Sequence, residues 1–123
     1  MECNYHVILE TLNAAIWERI GTHYTWDFFD YWLGDDSNLG RLYREIIEEI
    51  KGEPLTEEQN TLLNKKGENL EKMIGKWCGR WETNNPGLQD QRMPPTCLQI
   101  KIHEYIIYQF NKRDIKEIVG NPC

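Results

Sequence analysis

Five glutamates at helical spacing are the residues of this chain best suited to chemistry. Glu45, Glu48 and Glu49 stand at i, i+3 and i+4, and Glu68 and Glu71 repeat the i, i+3 step further on. On a helix those intervals share one side. Two facing helices that each offer a Glu-x-x-Glu pair can hold Mg²⁺, because a hard cation takes carboxylate oxygens. The plainer reading of the same spacing is a solvated acidic face. A second group is the stretch His23 to Asp36, HYTWDFFDYWLGDD. Tyr24, Trp26, Phe28, Phe29, Tyr31 and Trp32 crowd together there, interleaved with Asp27 and Asp30 and followed by Asp35 and Asp36. Aromatic side chains dominate cores and interfaces, and carboxylates among them need water, a donor or a basic partner. The stretch is therefore either the centre of a core or the anchor of a binding face edged with negative charge.

The glutamate pairs carry one resemblance. Glu45-x-x-Glu48 followed by Glu68-x-x-Glu71 resembles the E-x-x-E and E-x-x-D pattern of MazG-type nucleotide pyrophosphohydrolases, which are all-α. The match spans residues 45–71 and departs at its last position, where Glu71 stands in place of Asp. What the resemblance implies is a Mg²⁺ cofactor held by Glu45, Glu48, Glu68 and Glu71, and hydrolysis of a nucleotide.

Other chemistries find less support. His6, His23 and His103 have no partner at metal-ligand spacing, and Ser37 is the only serine, at an expected helix start. Gly75-x-x-x-Gly79 lacks the strand and the Gly-Lys-Ser/Thr of a phosphate loop. Cys3, Cys78, Cys97 and Cys123 fit no zinc spacing and read as free thiols, with Cys78 buried in a helix. Lys65, Lys66, Lys72, Lys76 and Arg80 lie beside Trp77 and Trp81, a mixture that can bind phosphorylated ligands or single strands. Trp77 and Trp81 share a stripe with Met73 and Ile74, however, which argues for core and against nucleic acid. No run of about 18 apolar residues and no signal-peptide pattern is present, so a cytoplasmic protein without a membrane partner is expected.

Charge is unevenly divided. Residues 1–60 hold 13 acids against four bases, whereas residues 61–123 hold seven acids against ten bases. The acidic half repels nucleic acid and favours a basic protein surface. Opposite charge on the two halves also permits one copy to dock on another as a homo-oligomer.

The elements that must position these groups read as helices. Ile8, Leu12, Ile16 and Ile20 mark a first helix from about Asn4, closed by Gly21. A short helix from Thr25 to Trp32 follows, stopped by Gly34. Asp36 or Ser37 caps a third, with Leu39, Leu42, Tyr43, Ile46, Ile47 and Ile50 on its apolar face and Gly52 and Pro54 at its end. Thr56-Glu57-Glu58-Gln59 is a capping box opening a fourth helix to about Glu82, which Gly67 is expected to split or bend. Gly75 and Gly79, one turn apart, would let another backbone approach there. Residues 97–110 alternate like a strand at Leu98, Ile100 and Ile102 and recur like a helix at Leu98, Ile102, Ile106 and Phe110. Length and Thr96 as a cap favour helix. A last helix covers Lys112 to Val119.

The expectation is one all-α domain over residues 1–123, a bundle of four to five helices, with a strand over 97–110 as the alternative. Its expected role is a small acidic binding protein without catalysis, an inhibitor or regulator of a basic and even nucleic-acid-handling protein. In size and charge it resembles phage-encoded inhibitors and immunity proteins. The expected partner-binding residues are Asp27, Asp30, Tyr31, Asp35, Asp36, Glu45, Glu48 and Glu49, with no cofactor. The alternatives are the Mg²⁺ hydrolase, and a small-ligand binder with a pocket walled by Trp and Tyr. In the core reading, Trp77 lies under the first helix's Ile8-Leu12-Ile16 row.

Overall fold

The computed structural model describes residues 5–22, 38–85, 87 and 93–119. Within them the chain forms helices α1 (Tyr5–Thr22), α2 (Asn38–Lys51), α3 (Glu57–Asn84), α4 (Pro95–Gln109) and α5 (Lys112–Val119). The described chain is all-α. The expected helix from Thr25 to Trp32 and the Asp36 or Ser37 cap lie outside the described residues.

Local chemistry explains most boundaries. Lys51 is the last residue of α2 because Gly52 turns left-handed, at φ +78°, and donates its N–H to Glu48 O at 2.8 Å. Thr56 then caps α3. Its Oγ1 accepts from Gln59 N at 3.2 Å, while Gln59 Oε1 accepts from Thr56 N at 2.9 Å. α4 starts differently from expectation. Pro94 is its N-cap and Pro95 its first residue, with no side-chain cap, so Thr96 lies inside the helix. Proline suits that first position because its missing N–H has no helical partner to lose.

The strand alternative for 97–110 is corrected. Leu98, Ile102 and Ile106 are buried, while Ile100 is 54% exposed. Strand alternation would have put Ile100 on the same face as Leu98 and Ile102. The four-residue recurrence wins because only that spacing closes the core.

Four long helices make a ring. α1 packs on α2 and α4, and α3 packs on the same two from the other side. α5 covers one end, against α2 and α1. Inside lie Leu12, Ile16 and Ile20 of α1, Leu39, Tyr43, Ile46 and Ile47 of α2, Leu63, Leu70 and Ile74 of α3, and Leu98, Ile102 and Ile106 of α4. α5 adds Ile115 and Ile118, and Phe110 fills the α4–α5 corner.

Gly67 does not split α3, which runs unbroken for 28 residues. It is the point at which α2 crosses. A Cβ built on Gly67 would overlap the backbone N and Cα of Gly40 and stand 2.7 Å from the carbonyl carbon of Leu39. The room that Gly75 and Gly79 leave is not taken up: among the described residues nothing lies within 4 Å of a Cβ built at either.

Candidate functional site

The expected acidic face divides at the limit of description. Asp27, Asp30, Tyr31, Asp35 and Asp36 lie outside the described residues. Glu45, Glu48 and Glu49 are all exposed on α2, while Leu42, Ile46 and Ile47 of the same helix are buried. Glu53 in the turn and Glu57 and Glu58 in the first turn of α3 continue the exposed row. The last two are favoured where they stand by the positive end of the helix dipole. Arg41 reaches Glu45 at 3.8 Å, Arg19 of α1 reaches Glu49 at 3.6 Å, and Lys51 reaches Glu53 at 3.6 Å. The two exposed arginine pairs contribute about 0–1 kcal/mol each, and three cations against six glutamates leave the face negative. Glu48 has a local duty as well, its Oε1 lying 3.5 Å from Leu55 N across the turn.

Glu68 is exposed and Glu71 half-buried on α3. The α2–α3 hairpin is antiparallel, with Gly40 level with Gly67 and Lys51 donating to Gln59 at 2.8 Å. Glu45 and Glu71 therefore sit on opposite sides of the crossing, about 13 Å apart along the axis at 1.5 Å per residue. Among the described residues no group of three or more His, Cys, Asp or Glu stands ready to hold a metal. The melting temperature should accordingly be the same with and without millimolar Mg²⁺ or Mn²⁺. A rise that Glu48→Gln with Glu71→Gln removes would bring the hydrolase back, since only a folded-state site stabilises in that way.

Trp77 is not under α1. The buried line of α3 runs Leu63, Gly67, Leu70, Ile74, Cys78, and Trp77 and Trp81 stand half-buried on its flank. Trp77 meets Tyr105 of α4 edge-on at 5.8 Å, and Tyr105 stacks on Tyr108 at 5.7 Å. Lys101 Nζ lies 5.9 Å from the Trp77 ring, and Tyr108 is 79% exposed. Partial burial, with the Tyr108 phenol beside it, raises the Tyr105 pKa. These side chains wall a shallow depression of about 190 Å³.

Two features carried weaker signals in the sequence. One is a polar knot. Lys66 donates to Gln109 O and, at 3.3 Å, to Asp114, and its ammonium sits 4.8 Å from the Phe110 ring. Gln109 returns a bond to Lys66 O at 2.7 Å and accepts from Tyr43 Oη at 2.8 Å. Tyr5 Oη closes α1 onto Phe110 O at 2.8 Å. The other is a cleft between α1 and α4 of about 550 Å³, with a 210 Å³ extension toward Tyr5 and Ile107. Its floor is Asn13, a polar residue on the apolar side of α1 between Leu12 and Ile16. That misfit of type and face was the available signal.

Set against family models, curated proteins and solved structures, the chain matches none of them.

Proposed function

We propose that the chain is a non-catalytic binding protein that presents the acidic face of α2 and the start of α3 to a protein with a basic surface, and so inhibits or regulates that protein. The observation that carries this reading is the unbroken solvent-facing run of Glu45, Glu48, Glu49, Glu53, Glu57 and Glu58 on two joined elements. Its local pairings are surface contacts too weak to neutralise it. A basic surface made for phosphates, as in a nucleic-acid-handling protein, is complementary to such a row. Two further observations are compatible with a cytoplasmic setting. Cys78 and Cys97 carry no disulfide, and among the described residues no helix is long and apolar enough to cross a membrane.

Glu45→Lys with Glu48→Lys tests it. After capture of the partner from the host and its identification by mass spectrometry, the double variant should associate about tenfold more slowly at low salt. The gap should close as ionic strength rises. Its own stability should move by no more than about 0.5 kcal/mol. Equal rates for both proteins across the whole salt series would remove the electrostatic reading.

A second reading, a small-ligand binder, draws on the Trp77, Tyr105, Tyr108 and Lys101 wall. The exposed Tyr108 ring and the Lys101 ammonium beside Trp77 could meet an aromatic or anionic ligand there.

A further inference from the structure

Asn13, which lines the cleft between α1 and α4, carries a buried hydrogen-bond donor with no acceptor among the described residues. Asn13 is only 9% exposed, its Nδ2 has no partner, and it lines both the cleft and the extension. A buried amide left this way costs stability, and natural cores seldom retain one without a reason. Rotation about the Cβ–Cγ bond lets the carboxamide turn its NH₂ toward the cleft. Around it stand Glu10 and Glu18 of α1, the indole of Trp17, and Gln99 and His103 of α4. Among the described residues neither Lys nor Arg lines this space, and Glu10 makes no ion pair.

That combination specifies a ligand chemistry. An amide donor at the floor asks for a carbonyl acceptor. The carboxylate of Glu10 and the indole face of Trp17 ask for an organic cation, which gains both Coulomb and cation–π attraction. An anion would meet Glu10 first. The volume falls within the range of about 300–1,000 Å³ typical of small-ligand sites.

We infer that the α1–α4 cleft is a binding site for an arginine side chain together with its own backbone carbonyl, supplied by the basic partner. The carbonyl accepts from Asn13, and the guanidinium lies between Trp17 and Glu10. This inference rests on the reading of the chain as a binder of basic protein, and it names one residue type that such a partner must offer. Lysine fits less well, because a planar guanidinium stacks on an indole and forks onto a carboxylate.

The test uses the full chain with Nα-acetyl-arginine amide as probe and the citrulline analogue, equal in shape but neutral, as its control. Amide chemical shifts should move at residues 10–18 and 99–103, with a dissociation constant of about 1 mM, as befits a fragment of this size. The citrulline analogue should bind about tenfold more weakly, and Glu10→Gln should weaken the arginine probe by about fivefold. Glu82→Gln, exposed at the far end of α3, should change nothing. Asn13→Leu is the decisive variant: it should lose the probe while its melting temperature rises, because a similar shape replaces an orphaned amide. Equal binding of the two probes, or retention of the arginine probe by Asn13→Leu, would overturn the inference. So would no binding at all, or concentration-dependent shifts at 99–103 without probe, which would give the cleft to a second copy. Shifts confined to Glu45, Glu48 and Glu49 would sink the cleft while leaving the acidic-face reading intact. A normal cleft response from a chain whose partner association is indifferent to salt would do the reverse.

Discussion

Gly67→Ala should destabilise the protein by about 2–4 kcal/mol, although alanine is the better helix former by about 1 kcal/mol. The added methyl has nowhere to go. It would overlap the backbone of Gly40, and backbone at a helix crossing cannot rotate aside as a side chain can. Carbon atoms in ordinary contact sit about 3.5–4.0 Å apart, so α2 and α3 must separate by more than 1 Å. That opens the packing of Leu39, Leu63 and Leu70, each fully buried beside the crossing. The loss is large against a typical total of about 5–15 kcal/mol. Gly75→Ala supplies the opposite sign. It is exposed in the same helix with open space around its Cβ position, so alanine there should stabilise by roughly 0.5–1 kcal/mol. Urea midpoints at constant m-value measure both. A Gly67→Ala protein as stable as the parent would mean that the helices do not meet at Gly40.

The two glycines also mark where sequence reasoning stops. A break in helix propensity is local, so Gly67 reads as a weak point in α3. Its actual use is set by Gly40, 27 positions away, and nothing near either residue encodes that pairing. Where the signal was local, the reading held: the row at Ile8, Leu12, Ile16 and Ile20, the Thr56–Gln59 box and the Gly52 stop all stand as spaced. Trp77 shows a finer limit. Residues 74, 77, 78 and 81 all fall within one broad helical stripe, and only the position of the neighbouring helix decides which are central. Because α4 takes that place, Ile74 and Cys78 go inside and Trp77 to the edge. The acidic face was legible because exposure of glutamate is the default. The cleft was hidden, since it requires Asn13 of α1 to face Gln99 and His103 of α4 across the fold.

Gln109→Leu should cost about 2–4 kcal/mol while leaving the volume of the core nearly unchanged. Gln109 is 7% exposed and links three helices, accepting from Tyr43 of α2 and donating to Lys66 O of α3. Leucine keeps the shape and removes both bonds. The Lys66 carbonyl remains within its helix, so the greater loss falls on the Tyr43 hydroxyl. That side chain is 1% exposed, and a buried donor without an acceptor costs about 1–3 kcal/mol. Tyr43→Phe combined with Gln109→Leu should therefore recover part of the loss, because neither partner is then stranded. The phenol also gives the knot a signature in pH. Burial, aided by the charge that Tyr105 would carry, pushes the Tyr43 pKa well above its ordinary value of about 10. A folded pKa above the unfolded one means stability fully present below about pH 10, lost as pH rises from there through the folded pKa. The quantity to measure is the difference between parent and Tyr43→Phe in urea midpoint from pH 8 to 11. The parent should lose stability faster than the variant above pH 10. Parallel curves would show that Tyr43 ionises as freely in the folded chain as in the unfolded one, and that the knot does not seal it from water.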